Sequence, residues 1–286
     1  MDIADLLAEG LIAPPAGVAV AVLRGDQADV RVVPGADPID EHTPFETGSV
    51  GKTMTNLVLV RLVRAGMLSM DARVGDFLNA GACSGITVRQ LTSHTSGLPS
   101  IPPGLREAPD YDPDDPFAGF GTRQLVQLLP QLTPGEEDYS HLGYQLLGHI
   151  LELAASESLH ALVQRFVFDP LGMADSSAVG ARPAVQGYDG DRPVPQWSAP
   201  LPGEGGWQSS VSDLVLFVRA QLAGGAHSSE LGWGRVGSIY GHDGGTGGCS
   251  SFVAFDRTAR TGVVVLVNSG DAEVTERGVE AMGALT

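Results

Sequence analysis

The amino-acid sequence predicts an α+β protein (α/β in the broad sense). We expect one antiparallel sheet formed by both chain termini and flanked by helices, with an inserted, mostly helical region. Apolar runs typical of strands occur near both ends of the chain, at residues 17–33 and 250–268. Between these two segments the apolar residues recur mostly at helical spacing. Since the clear strand patterns lie at the two ends, we expect the two ends to pair in one sheet.

Each of these two segments predicts a β-hairpin. In the first, the runs Gly17–Leu23 and Ala28–Val33 flank a short Arg-Gly-Asp turn. In the second, Ser250–Phe255 and Gly262–Asn268 flank a polar turn that begins at Asp256. Strand-forming runs separated by a short polar or glycine-containing turn are typical of antiparallel pairs.

The segment from Val50 to Ala65 predicts a helix that is apolar on almost every side and must therefore be buried. Two segments rich in proline, glycine and aspartate, 98–121 and 178–206, predict long surface loops, and loops of that length often line a binding site. Further helices are predicted at 85–92, 122–130, 141–156, 157–168 and 211–222.

We interpret the whole chain, 1–286, as a single catalytic domain. Its 286 residues suffice for a sizeable core, and 43% hydrophobic with 18% charged residues is a globular composition. Within this domain, residues 1–48 and 205–286 are expected to contain the sheet, and residues 49–204 to be mostly helical.

The charge balance excludes several classes of partner. With 34 acidic and 17 basic residues the net charge is −17, and such a surface repels nucleic acid and anionic membranes. No run of about 18 apolar residues could span a bilayer. The N-terminus is acidic where a secretory signal needs basic residues, which favours a cytoplasmic location, and the two cysteines, Cys83 and Cys249, are compatible with it.

The basic residues show a sharper bias, because 16 of the 17 are arginine and the single lysine is Lys52. Arginine stays protonated at any useful pH, whereas the pKa of a lysine can be lowered until it serves as a base. Lys52 follows Ser49 by three residues at the start of the predicted buried helix, so both side chains share one helix face. Lys52 is therefore a candidate catalytic group.

Ser49 and Lys52 together suggest nucleophilic catalysis. A serine hydroxyl is a weak nucleophile until a neighbouring group accepts its proton. Burial in an apolar helix would lower the pKa of Lys52 toward that of a usable base. The positive end of the helix dipole would in addition favour negative charge at the serine oxygen.

A phosphate-binding loop is the competing interpretation of the same segment. The run Gly48-Ser-Val-Gly-Lys-Thr53 resembles the end of a P-loop, whose pattern needs another glycine at position 46. That position holds Glu46, whose carboxylate would face the phosphates, and no clear apolar strand precedes it at 38–46. We therefore favour the serine catalyst.

The segment Phe45-Glu-Thr-Gly-Ser49-Val-Gly-Lys52 resembles the active-site serine motif of the serine β-lactamase and penicillin-binding-protein superfamily. Further segments resemble, in the expected order, its class C β-lactamase-like branch of lactamases, esterases and transacylases. The resemblance implies the β-lactamase/transpeptidase-like fold. These segments are Leu91–Leu98, Pro134–Gly148, Asp169–Met173, Gly205–Leu214 and Gly241–Gly245.

The resemblance also implies catalytic roles. Ser49 would be the nucleophile and Lys52 its partner base. Tyr139 would help to take the serine proton and would later pass it to the leaving group. The backbone N–H groups of Ser49 and Gly245 would form the oxyanion hole.

Two histidines stand at expected substrate-binding positions. His141 replaces an asparagine that binds the substrate's amide carbonyl in the lactamases, and an imidazole there could bind or act as a second base. His242-Asp-Gly244 matches the third motif of the family, Lys-Thr-Gly, in its His-x-Gly form, so His242 and Gly244 would contact substrate. Loss of the lysine removes a permanent cation for a carboxylate and weakens the case for β-lactams as substrates.

These features predict a serine-dependent acyl-enzyme catalyst that hydrolyses a small-molecule ester, amide or lactam. Alternatives are a transacylase that moves the acyl group to an amine or alcohol in secondary-metabolite biosynthesis, and a non-catalytic binding protein of the same fold. The expected partners are a small-molecule acyl donor and, in the transacylase, such an acceptor. We expect no cofactor and no metal, because the remaining histidines have no metal-ligand spacing: His42, His94, His149, His160 and His227.

Overall fold

The computed structural model describes residues 2–198, 203 and 205–285. A 3-10 helix, Gly48–Val50, leads directly into the second α-helix. The helices are α1 (Ile3–Glu9), α2 (Gly51–Arg64), α3 (Val88–Thr92), α4 (Thr122–Leu128), α5 (His141–Ala155), α6 (Leu159–Val163), α7 (Asp169–Leu171), α8 (Val211–Ala223) and α9 (Val274–Gly283). The strands are β1 (Val18–Arg24), β2 (Gln27–Val33), β3 (Phe45–Glu46), β4 (Ser177–Ala178), β5 (Gly187–Asp189), β6 (Arg192–Val194), β7 (Trp207–Ser209), β8 (Gly234–Val236), β9 (Ile239–Gly245), β10 (Ser250–Asp256) and β11 (Thr261–Val267).

Six strands form one antiparallel sheet in the order β2-β1-β11-β10-β9-β8. Strand β1 pairs with β11, so that Val18 lies opposite Val267, and β10 pairs with the other edge of β11. The two hairpins predicted from the chain ends therefore lie side by side in the sheet, with β1 next to β11 and β2 at one edge. This arrangement, with helices around it, confirms the predicted fold class.

The central strands are buried on both faces, and their side chains alternate between two apolar layers. In β11, Val264 and Leu266 pack toward α8 and the inserted helices, whereas Val263 and Val265 pack toward α1 and α9. The inserted helices thus lie against one face of the sheet, and the terminal helices cover the other.

The predicted helices are present near their predicted bounds, with two differences. The segment 157–168 is not one α-helix, because α6 passes into a π-helical turn over Gln164–Phe168. Helices α1 and α9 were not predicted. In α9 two of the buried positions are the small residues Gly278 and Ala281, which weakens the apolar pattern. A Cβ on Gly278 would overlap the ring of Phe252, so α9 needs glycine to sit this close to the sheet.

Of the two long loops predicted from the sequence, one is confirmed and the other is wrong in part. Residues 98–121 form turns without a helix or strand, as predicted. The prediction of a loop over 178–206 is wrong in part, because β5 and β6 form a hairpin there. Residues 199–202 and 204 of that segment lie outside the described residues. The short strand β4 pairs with β7, which also pairs with β3, and this small sheet positions the chain just before Ser49.

Candidate active site

Ser49 lies at the entrance to α2, where the small sheet ends. Thr47 anchors the preceding residues, because its N–H (3.0 Å) and its hydroxyl (2.9 Å) both donate to the carbonyl oxygen of Trp207. Gly48 then has a φ of 49°, a left-handed conformation that glycine adopts readily because it has no Cβ. This turn leads the chain from β3 into the helix and places Ser49 at the helix N-terminus.

Lys52 lies one helical turn after Ser49 and is directed back toward it. Its side chain has no exposed surface, and Nζ donates to Ser49 Oγ over 2.8 Å. Nζ also lies 5.2 Å from the ring centroid of Tyr139 and 5.6 Å from that of Tyr144. The single lysine of the chain is therefore next to the serine hydroxyl and close to two phenol rings, a geometry suited to proton transfer.

Tyr139 lies two residues before the start of α5. The backbone beside it is fixed by the helix cap, in which Ser140 Oγ accepts a hydrogen bond from Gly143 N–H at 2.9 Å. Tyr139 is 38% exposed, so one part of the phenol ring reaches solvent while another lies near Lys52. The structure thus brings together Ser49, Lys52 and Tyr139, the three residues for which the sequence predicted catalytic roles.

The end of β9 lies in backbone contact with the turn before α2. A Cβ added to Gly244 would overlap the carbonyl oxygen of Thr47 and would lie 2.8 Å from Ser49 N. A Cβ added to Gly48 would lie 2.6 Å from Gly245 N. Both positions therefore require glycine. Ser49 and Gly245 line the same cleft, and their N–H groups belong to backbone segments that touch each other.

Ser49 opens into a cleft of about 200 Å³, here called the Ser49 cleft. His141 lines this cleft, so the structure places it beside the serine as predicted. Arg106 is a basic residue of the lining. The other side chains are mostly apolar and come largely from the predicted loop 98–121: Ile101, Leu105, Tyr111, Pro116, Phe117 and Trp197.

Tyr139 faces a second cleft of about 510 Å³, here called the Tyr139 cleft. His242 lines it, and the structure therefore does not bring His242 into the same cleft as His141. The Nδ1 atom of His242 lies 2.6 Å from the carbonyl oxygen of Asp243 and must be the donor, because a carbonyl oxygen can only accept. Burial lowers the pKa of His242, which favours the neutral ring.

His94 belongs to the site, although the sequence assigned no role to it. Its ring stacks on Tyr139, with centroids 4.1 Å apart, and on Tyr144 at 4.9 Å. Its Nδ1 accepts the backbone N–H of Ser140 at 3.0 Å. Burial, assisted by the charge of Lys52, lowers the pKa of His94 to about 4. The sequence signal that could have identified it is its place in the segment Leu91–Leu98 that resembles the family.

Glu46, the residue that argued against a P-loop, connects the two sides of the Ser49 cleft. Its buried carboxylate accepts hydrogen bonds from the backbone N–H of Trp197 and from the Thr246 hydroxyl, each at 2.9 Å. Burial raises the pKa of Glu46, and these two hydrogen bonds oppose that rise. Trp197 lines the cleft and Thr246 follows Gly245, so one carboxylate fixes both segments next to the strand that leads to Ser49.

Three further features of the described part of the chain concern metal ligands, cysteines and long apolar helices. Among the residues that the structure describes, no group of three or more His, Cys, Asp or Glu side chains is placed to hold a metal ion. Both cysteines are buried free thiols, and burial raises the pKa of Cys249, as expected of a residue that fills the core. No described helix is long and apolar enough to cross a membrane.

Comparison with known sequences identifies similar proteins. A family model described as Beta-lactamase matches residues 13–283. The chain is 28% identical over 291 residues to Penicillin-binding protein 4 of Amycolatopsis lactamdurans, and the alignment covers 80% of this chain and 73% of that protein. It is 31% identical over 177 residues to Esterase EstB of Burkholderia gladioli, which covers 54% of this chain and 44% of the relative. The chain thus spans less than half of the second relative.

Solved structures share the fold over nearly the whole chain. A class C β-lactamase from Rhodobacter sphaeroides superposes with a TM-score of 0.79 at 21% identity, covering 99% of this chain and 97% of that one. An octameric penicillin-binding protein homologue from Pyrococcus abyssi superposes with a TM-score of 0.78 at 22% identity, covering 95% of this chain and 73% of that one. At these identities the likeness establishes the fold.

Proposed function

Because the chain belongs to the beta-lactamase family, we propose that it is a serine hydrolase that forms an acyl-enzyme at Ser49 and hydrolyses small-molecule esters or amides. The observation that carries the proposal is the 2.8 Å contact between Lys52 Nζ and Ser49 Oγ at the edge of a cleft. A buried amine at this distance can accept the hydroxyl proton once the amine is neutral.

The proposed acylation step uses three groups. Ser49 Oγ attacks the substrate's carbonyl carbon, and its proton passes to neutral Lys52 Nζ, either directly or through Tyr139, whose phenol gives its own proton to Lys52 as it accepts the proton of Ser49. The carbonyl oxygen becomes negative as the tetrahedral intermediate forms, and the N–H groups of Ser49 and Gly245 stabilise it. When the bond to the leaving group breaks, the stored proton passes to that group and leaves an ester on Ser49.

Water completes the proposed reaction. It attacks the ester carbon of the acyl-enzyme and gives one proton to the base that served in acylation. The acid product leaves, and Ser49 regains its proton. The same residues therefore serve as acid and base in both halves of the cycle.

The shape of the Ser49 cleft supports an apolar acyl group. Its walls are mainly aromatic and aliphatic side chains from the loop 98–121. An apolar cavity of about 150 Å³ is large enough for benzene, so a cleft of about 200 Å³ suits an acyl group of about the size of phenylacetyl. The Tyr139 cleft, which the catalytic phenol lines, would receive the leaving group.

Acyl transfer is the second candidate, and the size of the Tyr139 cleft favours it. At about 510 Å³, this cleft could hold an amine or alcohol that replaces water next to Tyr139. His141 lines the Ser49 cleft and not the Tyr139 cleft. It can therefore act as the second base only if the amine or alcohol enters through the Ser49 cleft. Product partition between acid and amide at several amine concentrations distinguishes the two functions, and His141→Asn tests the role of His141.

A covalent probe tests the proposed function against the non-catalytic alternative. We expect a fluorophosphonate to add once to the protein, and peptide mapping to place the adduct on Ser49. Ser49→Ala should abolish labelling and turnover of p-nitrophenyl esters without unfolding the protein. Ser93→Ala is the matched control, because Ser93 lines the Tyr139 cleft and its hydroxyl bonds to Arg89 O and the Thr95 hydroxyl among the described residues. Wild-type protein that takes up no probe and cleaves no ester would support binding without catalysis.

A further inference from the structure

We propose that His94 is a positioning residue, whose ring holds the phenol of Tyr139 in the orientation that proton transfer to and from Ser49 requires. The inference rests on the proposed acyl-enzyme function and adds a group outside the serine, lysine and tyrosine set. It is carried by a stacked contact, a backbone hydrogen bond and an unusual backbone conformation that meet at one residue.

The backbone around His94 is held from several sides. His94 follows α3 with a φ of 59°, in the left-handed region that costs most side chains energy and is more accessible to histidine, asparagine and aspartate. The next residue, Thr95, donates its N–H to Gln90 O at 2.9 Å. Two residues earlier, the Thr92 hydroxyl bonds to the buried amide oxygen of Asn56. The backbone that carries the His94 ring is therefore held by α3 and α2.

The hydrogen bond from Ser140 fixes the chemical state of the ring. Because Nδ1 accepts the Ser140 N–H, the neutral ring carries its proton on Nε2. Four charged or titratable groups influence it electrostatically: Lys52, His141 and His242 disfavour its protonation, and Asp138 favours it. With burial they lower the pKa of His94 to about 4, so the ring stays neutral at neutral pH and is not a proton carrier there.

Tyr139 needs such a support because more than a third of its surface is exposed to solvent. Tyr139 lines the Tyr139 cleft, and its ring centroid lies 5.2 Å from Lys52 Nζ. The cap of α5 fixes the backbone at Ser140, but rotation about the side-chain bonds of Tyr139 could still move the phenol oxygen. Stacking of His94 at 4.1 Å restricts that rotation. A displacement of about 1 Å at a catalytic group can cost about 100-fold in rate.

A double-mutant cycle between His94→Asn and Tyr139→Phe tests the proposal. Asparagine tolerates the left-handed backbone, and its amide oxygen can still accept the Ser140 N–H, so His94→Asn removes mainly the stacked ring. We expect the acylation rate to fall about 10- to 100-fold with a KM change below about threefold. In the Tyr139→Phe background, where the phenol oxygen is already absent, His94→Asn should cost less than about threefold.

Two further variants separate positioning from loss of structure. His160→Asn is the control at an exposed position, since His160 also has a lowered pKa and also contacts an aromatic ring, but that ring is Trp207. It should lower the melting temperature without changing the rate per folded molecule. His94→Phe keeps an aromatic ring and loses the Nδ1 acceptor. Because the left-handed backbone strains phenylalanine, rates are compared per folded molecule, and we expect His94→Phe to be at least fivefold faster than His94→Asn.

The outcomes distinguish this inference from the proposed function. The rate at which the fluorophosphonate phosphonylates Ser49, measured by intact mass, reports on removal of the Ser49 proton and attack by Oγ, the events with which acylation begins. If the wild-type protein forms no adduct, the proposed function fails. If the adduct forms and His94→Asn lowers the rate equally in both Tyr139 backgrounds, or if His94→Phe is no faster than His94→Asn, the positioning role of His94 is refuted while the function stands.

Discussion

Substitution of Gly244 by alanine tests whether the backbone of β9 sets the geometry around Ser49. A Cβ at this position would lie 2.8 Å from Ser49 N and would also overlap the carbonyl oxygen of Thr47. Ordinary contacts of a Cβ begin near 3.4 Å. Strand β9 and the turn before α2 must therefore separate by about 0.6 Å at Ser49 N and by more at the carbonyl oxygen of Thr47. Both of these are backbone atoms, which cannot rotate away as a side chain could.

The separation would act on the proposed oxyanion hole, because Gly245 is the next residue along the strand. Loss of one donor from an oxyanion hole costs about 100- to 1,000-fold in rate, and a misplacement of about 1 Å about 100-fold. We expect Gly244→Ala to lower the acylation rate about 30- to 100-fold. Overpacking by one methyl group costs about 1–3 kcal/mol of stability, which corresponds to roughly 2–4 °C in Tm for each kcal/mol.

The assay is the rate of p-nitrophenyl ester cleavage, normalised to the fraction of protein that is folded at the assay temperature. Gly241→Ala is the matched control on the same strand, because its Cβ would meet Ala254 and Phe252 at an ordinary 3.5 Å. We expect Gly241→Ala to retain at least half of the wild-type rate. Retention of more than a third of that rate by Gly244→Ala, or an equal loss in the control, would refute the argument from backbone contact.

Three further predictions concern charge and substrate. Lys52→Arg should lose at least about 1,000-fold in turnover, nearly as much as Lys52→Ala, because the guanidinium cannot accept the proton of Ser49. Steady-state kinetics on an ester measure this loss. If the Arg variant is active, Lys52 acts only through its charge and not as a base. The pKa of His94 is about 4 in the folded protein and about 6.5 in the unfolded chain, so the unfolded chain takes up the proton first. The free energy of unfolding should therefore fall as the pH falls from 6.5 to about 4. Urea titrations should show a smaller fall for His94→Asn than for the wild type, and an equal dependence on pH in the two proteins would contradict the neutral ring. With His242 where lactamases have lysine, a chromogenic cephalosporin should be cleaved much more slowly than a short p-nitrophenyl ester, and the reverse preference would overturn this prediction.

The sheet was predictable because its signals are local and repeated. The hairpins over 17–33 and 250–268 each contain two strand patterns and a turn, and chain ends that carry the only clear strand patterns have few other partners. The outer strands β8 and β9 were not predicted, since Gly234, Gly241, Gly244 and Gly245 interrupt any apolar alternation. The glycines of β9 make the strand hard to predict from the sequence, and their lack of a Cβ allows β9 to approach the helix that carries Ser49.

The pair of Ser49 and Lys52 was predictable for a related reason. Three residues on a helix bring two side chains to the same face, so spacing alone places Lys52 next to Ser49, and the observed distance is 2.8 Å. The position of Tyr139 relative to them came only from resemblance to the family. Spacing along the chain carries no information on how α5 packs against α2.

His94 and Glu46 show what such spacing cannot reveal. Each acts at a junction between segments that are distant in sequence: His94 contacts Ser140 across 46 positions, and Glu46 contacts Thr246 across 200. A single sequence offers no pattern for either contact, because a polar residue in a loop looks the same whether it faces solvent or a buried partner. Burial decides between the two, and burial depends on tertiary packing. The site therefore divides into a local pair, Ser49 and Lys52, and supports that only the folded chain assembles. Substitutions of those supports should change the rate of acylation while the pair itself remains intact.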